Sequence, residues 1–229
     1  MKIKVCGMRD ADNILAVSQL PIDFMGFIFY KQSPRYDKNL NVEAVKAIPV
    51  TIQKVGIFVN ATQAEILDAV ETFDLQMVQL HGNESPEFCN TLVGAYCIRP
   101  INNVCPTKII KAFQIASTDD FKRCAEYESV CDYFLFDTKT PQFGGSGKKF
   151  DWSILSAYNG KTPFFLSGGI APEDAEAIKQ LNLPQLFAID LNSRFEVEPG
   201  VKDIEKLKQF IKPAPNPLKG ALMSPLRGI

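Results

Sequence analysis

Residues 133–137 read YFLFD and residues 164–166 read FFL. Both runs are short and apolar almost throughout, which is typical of parallel strands that are buried on both faces. Each run ends at a polar residue or a glycine-containing loop, and a segment with helical features follows. The two runs therefore predict consecutive strand–helix units of an α/β fold.

The same unit repeats on both sides of this stretch. Eight runs predict strands: Ile3–Cys6, Phe24–Phe29, Thr51–Val59, Met77–Leu80, Lys108–Phe113, Tyr133–Phe136, Phe164–Leu166 and Leu186–Ile189. Eight segments between and after them predict helices: Ala11–Leu20, Val42–Ala47, a helix capped at Thr62, a helix capped at Ser85, Thr118–Tyr127, Trp152–Tyr158, Pro172–Leu181 and Val201–Ile211.

Eight units in about 210 residues fit a (β/α)8 TIM barrel, which needs roughly 200 residues or more. A doubly wound sheet rarely needs eight equal units. We therefore predict a single-domain barrel over residues 1–212. Residues 213–229 are rich in proline and lie beyond the last predicted helix, so we expect a C-terminal tail there.

Composition excludes several classes of function. The chain has 25 basic and 26 acidic residues and a net charge of -1, whereas nucleic-acid binding needs clustered positive charge. No apolar run is long enough to cross a membrane, and the first residues lack the apolar core of a signal peptide. We expect a cytoplasmic protein without nucleic-acid or membrane partners.

The six cysteines form no C-x-x-C pair, and the chain is long enough to fold without disulfides. Reduced thiols are therefore the expectation. A zinc site would need four ligands at close spacings, and the chain contains one histidine. The sequence thus favours a protein without a bound metal.

The active site of such a barrel lies at the C-terminal ends of its strands. Cys6 ends the first strand and is a candidate base or nucleophile, although a cysteine there is also often a small buried hydrophobe. Asp137 ends the apolar run YFLF and is a candidate acid. The alternative for Asp137 is a helix cap or a partner of Lys148.

Three more side chains at this end are candidates for substrate binding. Arg35 suits a bidentate carboxylate contact, or it lies on the surface. His81 can be an acid, a base or a hydrogen-bond donor, or it bonds a loop carbonyl for structural reasons. Asp190 can bind a substrate hydroxyl or only orient loops.

Loops rich in glycine, serine or asparagine follow the last three strands. Such loops allow backbone N–H groups to approach an anion closely, and a phosphate site after strands 7 and 8 recurs in this fold. The alternative is that they are only tight turns. The candidate phosphate-binding residues are Gly145, Ser146, Gly147, Gly168, Gly169, Asn192 and Ser193.

Eight motifs, in order along the chain, together resemble the phosphoribosylanthranilate isomerase family of tryptophan biosynthesis. They are KVCGMRD, GFIFYKQSPR, VGIFVN, VQLHGNE, FLFDT, GGSGKKFDW, FLSGGI and PGVKD, and they span residues 4–203. Each motif is weak by itself, but eight of them in register make a specific match.

The resemblance implies an Amadori rearrangement of N-(5′-phosphoribosyl)anthranilate, with no cofactor or metal. It implies Cys6 as the general base, Asp137 as the general acid and Arg35 as the contact for the anthranilate carboxylate. The glycine loops would hold the phosphate. Members of the family occur as monomers, dimers or fused domains, so a monomer or homodimer is expected. The sequence departs from the family at Arg194, where glycine is usual.

Two other functions fit parts of the pattern. The related isomerase of histidine biosynthesis performs the same rearrangement, but it usually carries an aspartate at the position of Cys6 and has a second phosphate site. A non-catalytic binder of phosphorylated ligands could use the same scaffold. An assay of substrate turnover separates these alternatives.

Overall fold

The structure is a computed structural model, and it describes residues 1–98, 107–139 and 149–211. Eight parallel strands close into a barrel in the order of the chain, because β1 pairs with both β2 and β8. The strands are β1 (Lys2–Val5), β2 (Phe24–Ile28), β3 (Gln53–Phe58), β4 (Met77–Leu80), β5 (Lys108–Ile115), β6 (Tyr133–Thr138), β7 (Phe164–Leu166) and β8 (Leu186–Leu191). The predicted (β/α)8 barrel is confirmed.

Helical segments connect the strands. The α-helices are α1 (Ala11–Ser18), α2 (Val42–Lys46), α3 (Gln63–Phe73), α4 (Pro86–Ile98), α5 (Ala175–Lys179) and α6 (Ile204–Ile211). Segments of 3-10 helix occupy Thr118–Tyr127, Trp152–Ala157, Pro172–Asp174 and Ser193–Phe195. The third predicted helix begins as expected, because Thr62 and Glu65 form a reciprocal capping box.

The strands divide the core into two parts, because successive side chains point to opposite faces. One set fills the barrel interior: Cys6, Phe24, Val55, Ile57, Met77, Ile110, Ala112, Leu135, Phe165 and Ala188. The other set packs between the strands and the surrounding helices. Phe24 and Phe165 meet edge to face inside the barrel, with ring centroids 5.3 Å apart.

The prediction of one helix over Val201–Ile211 is wrong at its start. Val201–Lys202 is strand β10, which pairs with β9 (Glu196–Glu198), and α6 begins only at Ile204. The side chain of Asn13 bonds both the N–H and the carbonyl of Lys202, which holds this residue in extended backbone. Three other predicted helices are wholly or partly 3-10 segments.

Several expectations fall on residues that are not described. The segments 99–106, 140–148 and 212–229 lie outside the described residues, so the tail boundary after residue 212 stays a prediction. Four cysteines are free thiols in the structure: Cys6, Cys89, Cys124 and Cys131. In the described part of the chain, no helix is long and apolar enough to span a membrane.

Candidate active site

The alternation of side chains along the strands brings the predicted site residues to one end of the barrel, called the mouth here. Cys6 itself belongs to the interior set, and Asp137 and Asp190 lie two residues beyond interior positions of β6 and β8. His81 follows β4 with the same parity as Met77. The sequence-predicted groups therefore converge at the C-terminal ends of the strands.

A buried ion pair lies beneath the mouth. Lys4 and Asp190 are partners in the β1–β8 register, and the distance from Lys4 Nζ to Asp190 Oδ1 is 3.0 Å. Burial lowers the pKa of Lys4, but the charges of Asp190 and Cys6 outweigh burial and raise that pKa above its ordinary value. Lys4 therefore stays a cation next to the candidate base.

Cys6 is almost fully buried, as the alternative of a small buried hydrophobe predicts. Burial raises the pKa of its thiol above the ordinary value, although the nearby ammonium groups of Lys4 and Lys202 act in the opposite direction. Its sulfur lies directly over Gly26 on β2, because a Cβ at that glycine would be 2.9 Å from Sγ. Cys6 is thus a buried thiol with cations beside it, which suits a base that is charged only briefly.

Asp137 is held from two sides at the end of β6. Its Oδ1 accepts a hydrogen bond from the Thr138 N–H at 2.8 Å, and its Oδ2 lies 3.4 Å from His81 Nε2. A Cβ on Gly168, whose φ is +95°, would collide with Thr138, so the loop after β7 requires glycine at this close approach. Asp137 therefore sits where the loops after β4, β6 and β7 meet.

Arg35 lies in the site, so the surface alternative is wrong. Its side chain is only 8% exposed and forms a bidentate pair with Glu196, with Nε–Oε1 and Nη2–Oε2 distances of 2.8 and 2.7 Å. Gly7 allows this position, because a Cβ there would be 2.6 Å from Arg35 Cδ. The loop after β2 thereby places a guanidinium beside Gly7, the residue that follows Cys6.

Glu196 and Lys202 are functional candidates that the sequence analysis missed. Lys202 Nζ donates to Glu196 Oε1 at 2.6 Å and to Asn192 Oδ1 at 2.8 Å. Burial would raise the pKa of Glu196, but Arg35 and Lys202 hold it below its usual range. Two cations thus share one carboxylate, which leaves this side of the mouth suited to anions.

The loop after β8 begins at Asn192 and continues as a 3-10 turn over Ser193–Phe195. In the loop after β7, Gly168 and Gly169 have φ values of +95° and +65°. The structure thus brings together five predicted groups and two of the three loops predicted to bind phosphate. The candidates Gly145, Ser146 and Gly147 lie outside the described residues.

A simple rule could have found two neighbours of the predicted residues. Lys4 and Gln79 each lie two positions before a predicted site residue, so strand alternation places them on the same inward face. No such rule leads to Glu196 and Lys202, because they come from the segment that was predicted as loop and helix.

Comparison with known proteins agrees with this geometry. A family model described as N-(5′-phosphoribosyl)anthranilate (PRA) isomerase matches residues 3–213. The chain belongs to the PRA isomerase family. It is an isomerase of tryptophan biosynthesis, as the sequence resemblance implies.

Individual PRA isomerases cover nearly the whole chain. The enzyme from Parabacteroides distasonis is 50% identical over 214 residues, which is 93% of this chain and 92% of the relative. A structure of monomers generated from the dimeric PRA isomerase of Thermotoga maritima has a TM-score of 0.72 at 31% identity and covers 92% of this chain and 96% of that one.

A second PRA isomerase structure contains a ligand. It was solved in complex with reduced 1-(o-carboxyphenylamino)-1-deoxyribulose 5-phosphate, and its TM-score to this chain is 0.76 at 29% identity. The match covers 92% of this chain and 96% of that chain. The shared fold thus extends over the whole described barrel.

Proposed function

We propose that Asp137 is the general acid and Cys6 the general base in the conversion of N-(5′-phosphoribosyl)anthranilate to 1-(2-carboxyphenylamino)-1-deoxyribulose 5-phosphate. The observation that carries the proposal is that both groups lie at one barrel mouth and both interact electrostatically with Asp190. An acid and a base on different strands can act on different atoms of one bound sugar.

The first step opens the ribose ring. Asp137 donates its proton to the ring oxygen, the bond between C1′ and that oxygen breaks, and the nitrogen lone pair forms the C1′=N bond. Asp137 is left as a carboxylate, which the Thr138 N–H and the nearby His81 ring stabilise.

The second step removes the proton from C2′. The Cys6 thiolate accepts it, the C–H electron pair forms the C1′=C2′ bond, and the electrons of the C1′=N bond return to nitrogen. The resulting enolamine becomes the ketone product when C1′ gains a proton and the C2′ hydroxyl loses one, so that the C2′=O bond replaces the C1′=C2′ bond. Lys4 and Lys202 stabilise the thiolate that this step requires. Proton transfers account for the whole route, so the expectation of a reaction without cofactor or metal is kept as part of the proposal.

The two ends of the substrate are both anionic. The bond to Glu196 uses Nε and Nη2 of Arg35, so its Nη1 amino group can meet the anthranilate carboxylate. Likewise, Lys4 bonds only Oδ1 of Asp190, and Oδ2 can accept from a ribose hydroxyl. His81, which the sequence predicts as a substrate contact, has its Nε2 3.4 Å from Oδ2 of the proposed acid Asp137.

The phosphate is assigned to the loops after β6, β7 and β8. Gly168 and Gly169 have positive φ values that glycine adopts without strain, and the absence of side chains there allows backbone N–H groups to approach a phosphate closely. Asn192 and Ser193 stand at the next loop, next to the buried ammonium of Lys202. For residues 145–147 the phosphate-binding role is proposed from the sequence alone.

The test of this assignment is turnover by Cys6→Ala and Asp137→Asn chains. Both variants must lose turnover and still bind the reduced product analogue, with circular dichroism like that of the parent. A variant that turns over at the parental rate would remove its residue from the mechanism.

Arg35→Ala is expected to raise KM by roughly 10- to 100-fold and to change kcat much less. A charge-assisted hydrogen bond to the non-reacting carboxylate contributes about 1.5–3 kcal/mol to binding in the ground and transition states alike. Steady-state kinetics measure both constants. Arg35→Lys is the control, because it keeps the positive charge but loses the planar guanidinium. Its KM should lie between those of the parent and Arg35→Ala. A large fall in kcat at constant KM would instead place Arg35 in the chemistry.

A further inference from the structure

Gln79 is a buried polar residue that the proposed mechanism does not use. Its side chain lies on β4 and is only 1% exposed, between backbone partners Ile57 on β3 and Ile110 on β5. A buried amide in such apolar surroundings costs free energy unless it is hydrogen-bonded. Its amide nitrogen lies 2.9 Å from His81 Nδ1, whereas its carbonyl oxygen has no partner among the described residues.

This contact determines where the histidine carries its proton. An amide NH2 group can only donate a hydrogen bond, so His81 Nδ1 must accept it and carry no proton. The neutral ring therefore holds its proton on Nε2. That nitrogen is buried, has no hydrogen-bond partner among the described residues, and lies 3.4 Å from Asp137 Oδ2.

The geometry points to Gln79 as a positioning residue: it fixes His81 as the Nε2–H tautomer, so that the ring donates to the Asp137 carboxylate formed when the ring of the substrate opens. This inference rests on the proposed role of Asp137. The donor acts where negative charge develops, because Asp137 gains that charge only on giving up its proton, and such an interaction accelerates the step. A ring with its proton on Nδ1 would present a lone pair to the carboxylate instead.

The tautomer can be observed directly, because His81 is the single histidine of the chain. In protein labelled with 15N-histidine, one ring gives two nitrogen resonances, and their shifts and couplings to the ring protons show which nitrogen carries the proton. At pH 7.5 the parent chain should show a protonated Nε2 and a bare Nδ1. A proton on Nδ1 in the parent would overturn the inference.

Gln79→Met tests the consequence for catalysis. Methionine has a similar length and cannot donate, so the ring should lose its single tautomer and kcat should fall about 10-fold, the effect of a hydrogen bond of about 1.4 kcal/mol. KM should change less than about twofold, since the effect belongs to the transition state. Unchanged kcat together with an unchanged Nε2–H ring would contradict the assignment.

Gln79→Glu is a second variant in case the methionine chain does not fold. A carboxylate accepts a hydrogen bond from an N–H group, so Nδ1 of the ring should carry a proton in this variant. Gln53→Glu is the matched control, because it makes the same change at the opposite end of the barrel and should leave the resonances of His81 and kcat as in the parent. The tautomer is read without turnover, so a failure of the Asp137 assignment would show separately, as an Asp137→Asn chain with parental kcat.

Discussion

Replacing Asp137 by asparagine is expected to lower kcat by roughly 10²- to 10⁴-fold, the usual contribution of a positioned proton donor. The amide oxygen can still accept from the Thr138 N–H, so the loop geometry is preserved. What is lost is the proton for the ring oxygen of the substrate. Steady-state kinetics of the variant, with circular dichroism to verify the fold, measure the effect.

Asp132→Asn is the matched control for this experiment. Asp132 lies just before β6, at the far end of the same strand, where its carboxylate accepts from the Ile109 N–H, and asparagine can do the same. We expect parental kcat from this chain. If the Asp137→Asn chain also kept its kcat, another group would have to be the acid, and Asp190 would be the next candidate.

Cys6→Ser is expected to lower kcat by at least about 10²-fold, because a hydroxyl is a far weaker base than a thiolate near neutral pH. The change is nearly isosteric, which matters because the side chain is buried beneath the mouth. Cys124→Ser is the control. That thiol is buried under the 3-10 segment outside the barrel, where burial raises its pKa to about 12. The Cys124→Ser chain should turn over at the parental rate.

The pH profile of kcat/KM should carry the same assignment. Burial raises the pKa of Cys6, so the thiol loses its proton above the ordinary range of a cysteine. In the reactive form of the Asp137–Cys6 pair, the proton is on Asp137 and Cys6 is a thiolate. When the pair loses that last proton no acid remains, so the fully deprotonated pair is inactive. Activity should therefore fall as the pH rises through the raised pKa of Cys6. In Cys6→Ser this alkaline limb should vanish, whereas in Cys124→Ser it should remain.

Much of the barrel could be predicted because its strands are apolar runs, each of which ends at polar residues or a glycine-containing loop. Strand β4 is observed at the residues that the pattern predicts, and β6 extends the predicted run by two residues. The positions of Cys6 and Asp137 follow from the same pattern, since the ends of parallel strands meet at one mouth. Position in the pattern was enough because each residue directly follows a buried run.

The pattern could not show contacts made by irregular segments. Lys202 reaches the site because Asn13, nearly two hundred positions earlier in the chain, holds its backbone in an extended conformation. The sequence does not reveal the partner of Arg35, because that partner, Glu196, lies in a short strand beyond the barrel. Such pairs depend on tertiary packing, which no local periodicity encodes.

The central claim assigns the two residues to two successive steps, and a deuterium isotope effect separates those steps. With substrate deuterated at C2′, the effect on kcat/KM reports how far proton removal limits the rate. Weakening the base in Cys6→Ser should make that removal fully limiting and raise the isotope effect above the parental value. Removing the acid in Asp137→Asn should make the earlier ring opening limiting and bring the effect toward unity. The reverse order, or equal effects in both variants, would contradict the assignment of Cys6 and Asp137.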